Sequence, residues 1–143
     1  MKIPVTLVLG LLLLLPAHKH EASLVEQSTT ANAQAQQRER EGYVKAIQAK
    51  LDEYDIKLSG LEAKASTLSG PAKDDFRNMI EQLQIQKKGI ASRLAYVRDA
   101  GPDAFTLIKE YVDSTLARVE RSYQEVSKKL DMTLASPPRN QQK

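Results

Sequence analysis

Apolar residues recur along this chain at two spacings, three and four, and the recurrence is interrupted at only two places. In the first run, Val44, Ile47, Leu51, Tyr54, Leu58, Leu61, Ala65 and Leu68 follow one another at intervals of 3, 4, 3, 4, 3, 4 and 3. That is an unbroken a/d seam of an amphipathic helix. A second seam contains Phe76, Ile80, Leu83, Lys87, Ile90, Leu94 and Val97, in which Lys87 is the one polar member. A lysine in a seam lays its methylenes on the core and carries its ammonium to water. The third places Phe105, Ile108, Val112, Leu116, Val119, Tyr123, Val126, Leu130 and Leu134 inward, at spacings averaging about 3.6, so it is less committed to supercoiling. Gln82 to Gln86 alternates as a strand would, but five residues do not outweigh the longer helical period.

The two interruptions are Gly70-Pro71 and Gly101-Pro102. Glycine tolerates the left-handed conformation that closes a helix, and proline suits a first helical position. Asp74 and Asp75 follow the first break, where the positive end of a helix dipole favours carboxylates. Short turns force neighbouring helices antiparallel. The predicted fold is therefore all-α, an antiparallel, coiled-coil-like three-helix bundle over residues 38–135, with helices at about 38–68, 72–99 and 103–134. Ser136-Pro137-Pro138 ends the last helix, and residues 136–143 read as a disordered tail.

The N-terminus breaks the pattern. Met1-Lys2 precedes an apolar run from Ile3 to Pro16, 14 residues by the numbering. A comfortable membrane span needs about 20, whereas a signal peptide needs fewer. Residues 1–22 are predicted to be a signal peptide, or else an uncleaved anchor held in the inner membrane by residues 3–16. Residues 23–37, which include the polar stretch Ser28–Gln37, read as a linker or a frayed helix start. The expected location is periplasmic or secreted.

Composition narrows the chemistry. Cysteine is absent, which excludes disulfides, thiolate metal sites and a Cys nucleophile. His18, His20 and Glu21 lie together but lack the preorganisation of a metal site, so no metal and no cofactor is expected. Of the net charge of +3, residues 38–66 carry 0, residues 72–99 carry +2 and residues 103–131 carry −1, with the other +2 outside these segments. This is too weak and too mixed for a nucleic-acid footprint. No phosphate loop, nucleophile elbow or zinc-protease motif is present, both histidines precede the bundle, and the carboxylates of Asp52, Glu53, Asp55, Asp74 and Asp75 fall at exposed positions. No catalytic residue is assigned, and the chain is expected not to be an enzyme.

Between Gln82 and Arg98 the second helix carries Lys87, Lys88, Arg93 and Arg98 with no acidic residue among them. These four are the candidate contact to anionic lipid or to a partner; the alternative is that they face the more acidic third helix or solvent. Residues 49–66, AKLDEYDIKLSGLEAKAS, then a Gly-containing turn, a basic helix and DAFTLIKEYVDSTLARVERSYQEV resemble a loose group of small exported bacterial proteins described as coiled-coil or apolipoprotein-like. The similarity covers residues 43–130 and implies a periplasmic three-helix bundle of unassigned function, with envelope-stress or lipid-related roles suspected. Size, signal peptide and helical hairpin are also similar to the coiled-coil chaperones of outer-membrane proteins, whose strand-rich oligomerisation body has no counterpart in this sequence.

Three functions follow as expectations. The preferred one is a non-enzymatic, exported interaction or structural module of the cell envelope, with a protein or envelope lipid as partner. A second is a lipid carrier whose seams, weakened at Ala65, Lys87, Ser114 and Thr115, open on a bilayer. A third is a periplasmic holdase chaperone or spacer, with Met79, Ile85, Leu107 and Tyr111 as a partner stripe or a weak self-association face.

Overall fold

A computed structural model of the chain describes residues 19–136. The signal peptide or anchor predicted for residues 1–22 lies, up to residue 18, outside the described residues, as does the tail from residue 137. Every regular element described is a helix: α1 (Lys19–Ser66), α2 (Gly70–Leu94) and α3 (Pro102–Ala135). The chain divides into two compact units between Gln36 and Gln37, ahead of the heptad seam. In the first unit the described part is helical throughout, and its side chains from Leu24 to Gln36 are exposed, including Leu24 and Val25. The stretch expected as a linker, residues 23–37, is thus helix within α1.

In the second unit, residues 37–66 of α1 pack with α2 and α3 around one core. Its buried members are the seam residues: Ile47, Leu51, Tyr54, Leu58, Leu61 and Ala65 from α1, Phe76, Ile80, Leu83, Ile90 and Leu94 from α2 with Val97 just beyond it, and Phe105, Val112, Leu116, Val119, Val126 and Leu130 from α3. Val44, Leu68, Ile108 and Tyr123 pack against it half-buried. Burying each large aliphatic side chain contributes about 1.5–3 kcal/mol, so the continuity of three seams is what holds a bundle that has no disulfide.

Contacts between helices set the directions. Lys87 of α2 meets Asp55 of α1, and Gln84 meets Glu62, so residue numbers fall along α2 as they rise along α1. Arg93 lies over Tyr111 and Lys129 over Phe76, which makes α2 and α3 antiparallel as well. By contrast α1 and α3 run parallel, bonded at Tyr43–Asp113, Tyr54–Glu120 and Lys64–Asp131.

The turns refine three expectations. Helix α1 stops at Ser66, and Thr67 and Leu68 donate to Lys64 and Ala65, three residues back, a tightening common at helix ends. Gly70 then takes φ of 65°, the left-handed value that the Gly-Pro pair led us to expect, but it also opens α2, so Asp74 and Asp75 sit in the second turn, beyond the strongest part of the dipole. At the other end, α2 closes at Leu94 rather than residue 99. Tyr96 and Val97 donate to Arg93 and Leu94, which turns the chain toward α3 while keeping Val97 buried.

Leu134 was expected in the core and is 41% exposed. Lys64 near the end of α1 pairs with Asp131, and Phe76 near the start of α2 lies under Lys129. Leu130 is the last buried residue of α3, and Met132 and Leu134 on its final turn stay at the surface.

Candidate functional site

Polar chemistry in this molecule concentrates along the seam between α1 and α3. Tyr54 occupies an a/d position, so its ring is buried at 6% exposure while its hydroxyl reaches the rim and donates to Glu120. One turn later Lys57 bonds Glu53 at 2.8 Å and approaches Glu120 at 3.6 Å. The Lys57 ammonium also lies over the rings of Tyr54 at 5.0 Å and Tyr123 at 5.5 Å. The spacing of four between Glu53 and Lys57 favours their pairing on one helix; parallel register brings Glu120 to both.

Two further rungs flank this cluster. Tyr43 stacks edge-on against Phe105, with ring centres 5.7 Å apart, and its hydroxyl donates to Asp113 at 2.9 Å. Lys64 donates to Asp131 at 2.8 Å. Burial, then the bond to Asp113, raises the Tyr43 hydroxyl well above its usual range. Burial and the bond to Glu120 do the same for Tyr54. Glu120 is held low, first by the Tyr54 hydroxyl and then by Gln124 and Lys57. The bond to Glu53 raises Lys57, and the bond to Asp131 raises Lys64. Every one of these shifts moves a group's titration further from neutral pH, whereas a general acid or base needs the opposite tuning.

The four candidate cations of α2 do not form one surface. Lys87 is drawn into the seam, its side chain 17% exposed and paired with Asp55 of α1. Arg93 lies on the other flank, 5.0 Å over the Tyr111 ring of α3. Lys88 is exposed, and at about 100° per residue it stands roughly 140° around the helix from Arg93. Arg98, beyond the end of α2, lines a groove with Glu41, Lys45, Gln48 and Asp52. Of the expected partner stripe, Met79 packs half-buried against the core, whereas Ile85, Leu107 and Tyr111 are 52%, 66% and 42% exposed.

Concave surface is shallow and mixed in charge. A groove of about 450 Å³ between α1 and α2 sets Glu62 and Glu81 beside Lys73 and Arg77. Among the described residues, no group of three His, Asp or Glu side chains could hold a metal ion, and no helix is long and apolar enough to cross a membrane.

The α1–α3 rungs were not foreseen from the sequence. Their partners stand 66–70 residues apart, and only the register between two parallel helices identifies them. Of the two residues expected to weaken the third seam, Thr115 lies in the core at 3% exposure, whereas Ser114 is exposed. The position of Thr115 between Val112 and Leu116 widens the apolar stripe of α3 to three per two turns, a signal that was present in the spacing. Compared with known proteins, the chain matches no family model, no curated protein and no solved structure.

Proposed function

We propose that this chain is a non-enzymatic interaction or structural module of the cell envelope, exported by way of its apolar N-terminus. One observation carries the reading: along the seams between helices, polar side chains bond from one helix to another, the buried Thr115 being an exception. Tyr43, Tyr54, Lys64 and Lys87 each tie α1 to another helix. A bundle closed in this way has its outward faces left for recognition, in keeping with the exposed Ile85, Tyr96, Leu107 and Tyr111. The apolar run of residues 3–16 supports the envelope location.

The dispersal of Lys87, Lys88, Arg93 and Arg98 argues against a basic membrane-binding face, which needs its cations on one side. Fractionation of cells carrying the tagged full-length chain tests the proposal. Recovery in the periplasmic or membrane fraction is the expected result. Finding the protein wholly in the cytosol, with residues 1–22 intact, refutes the envelope role.

A further inference from the structure

The outward face of α2, away from the core, carries a second periodic stripe. Asn78, Glu81, Ile85, Gly89 and Ser92 recur at intervals of 3, 4, 4 and 3, Tyr96 follows in the turn just past the helix, and all but the half-buried Gly89 are exposed. The stripe is symmetric about Ile85. Glu81 and Gly89 lie four residues to either side of it, Asn78 and Ser92 seven. Ile85 is apolar and 52% exposed, Tyr96 is 67% exposed, and Ser92 between them is small, while the half-buried Gly89 lies beside the Tyr111 hydroxyl of α3.

Charge runs along this face with one sign at each end. Asp75 and Glu81 precede Ile85, Lys88 and Arg93 follow it, and all four are exposed. Glu81 and Lys88 are seven residues apart, roughly two whole turns, so they share one flank of the stripe. Asp75 and Arg93 are eighteen apart, roughly five whole turns, and share the other. The remaining cations of the N-terminal half, Lys73 and Arg77, line the groove beside Glu62 of α1, and Glu81 stands at the edge between that groove and the outward stripe.

We propose that this face binds a second copy of the chain, with α2 antiparallel to its mate about a two-fold axis at Ile85. Such an axis keeps each flank against the same flank of the other copy and reverses the direction. Lys88, three residues past Ile85, then meets Glu81 of the second copy, four residues before it, a mismatch of about 1.5 Å along the axis. Arg93, eight residues past, meets Asp75, ten before, within about 3 Å. Symmetry doubles both pairs, so four ion pairs flank Ile85 stacked on itself. A parallel arrangement sets like charges together and is disfavoured. An acidic or a basic partner satisfies half of the face, whereas a second copy satisfies all of it. The proposal is independent of the envelope reading, because the same surface pairs copies in any compartment.

A charge exchange tests it. Sedimentation velocity in a density-matched nonionic detergent compares the full chain with two variants, Lys88→Glu with Arg93→Glu, and Asp75→Lys with Glu81→Lys. The expected result is a wild-type dimer at about 100 μM, each variant self-associating at least about tenfold more weakly as attraction becomes repulsion, and a dimer recovered in their equimolar mixture. Association through residues 3–16 is indifferent to these changes. A wild-type monomer, variants that dimerise like the wild type, or a mixture that stays monomeric each overturns the proposal. If circular dichroism shows that a double variant loses helicity, Ile85→Asp at this exposed position asks the same question: it must weaken the dimer, and an unchanged dimer refutes the pairing.

Discussion

Thr115 is the place where the core departs from its own rule. It is 3% exposed, between Val112 and Leu116, and its hydroxyl has no hydrogen-bond partner. A buried helical threonine ordinarily donates to the carbonyl four residues back. For Thr115 that carbonyl is Tyr111 O, and the Ser114 hydroxyl already donates to it at 3.0 Å. An unmade hydrogen bond of this kind costs about 1–3 kcal/mol. Thr115→Val keeps the branched shape, removes the orphaned donor and adds a methyl group to the core. The substitution is expected to stabilise the bundle by about 1–2 kcal/mol, which for a unit of this size raises the thermal midpoint by about 4–8 °C per kcal/mol. Circular dichroism melts and urea titrations on wild type and variant measure it. Thr133, whose hydroxyl donates to Lys129 O at 2.8 Å, is the comparison: Thr133→Val should bring no gain. A Thr115→Val variant that is no more stable than wild type, or is less stable, refutes the reasoning.

Three further expectations follow from the packing and the rungs. Leu83→Ala, at a 1% exposed position, should lose about 2–5 kcal/mol, while Leu134→Ala should change urea stability by less than about 0.5 kcal/mol because Leu134 lies past the end of the core. Gly70→Ala meets no atom within 4 Å but must hold φ of 65°, so it should cost about 1–2 kcal/mol through backbone strain alone; a Gly70→Ala protein of wild-type stability would show that the turn relaxes. For pH, the raised hydroxyls of Tyr43 and Tyr54 supply stability that is complete below their unfolded value of 10.0 and is lost as pH rises beyond it. Raised Lys57 and Lys64, from 10.5, act in the same direction. Lowered Glu120 supplies stability above its ordinary 4.5 that fades as pH falls through its folded value. Urea midpoints should therefore be flat near neutrality and drop above about pH 10, and Tyr54→Phe should flatten that alkaline limb; a variant with the same alkaline slope contradicts the assignment.

What could be read from the sequence divides by the range of the interaction. The seams were legible because helical periodicity is local: Ile47 through Ala65, Phe76 through Val97 and Phe105 through Leu130 are core residues as their spacing predicts. Gly70 was legible for the same reason, since a Gly-Pro pair constrains its own backbone. Residues 23–37 were not, because a polar helix without an apolar stripe carries no periodic signal. Lys87 was correctly placed in the seam, but its partner Asp55 depends on how α1 and α2 slide past one another. The same holds for Tyr54 with Glu120, whose bond exists only once α1 and α3 are in register. Leu134 continues a valid period beyond Leu130, the last buried residue of α3, and spacing alone does not mark where a core ends.

The central claim is that the bundle stays closed and meets its partners with outward faces. Amide hydrogen exchange of the full chain, with and without anionic vesicles, tests it most directly. The account predicts that the protected amides of residues 47–65, 76–94 and 105–130 keep their protection when vesicles are added, with changes confined to the N-terminal region. Loss of protection through the core of α1 and α2 on vesicles would show a bundle that opens, and would contradict it.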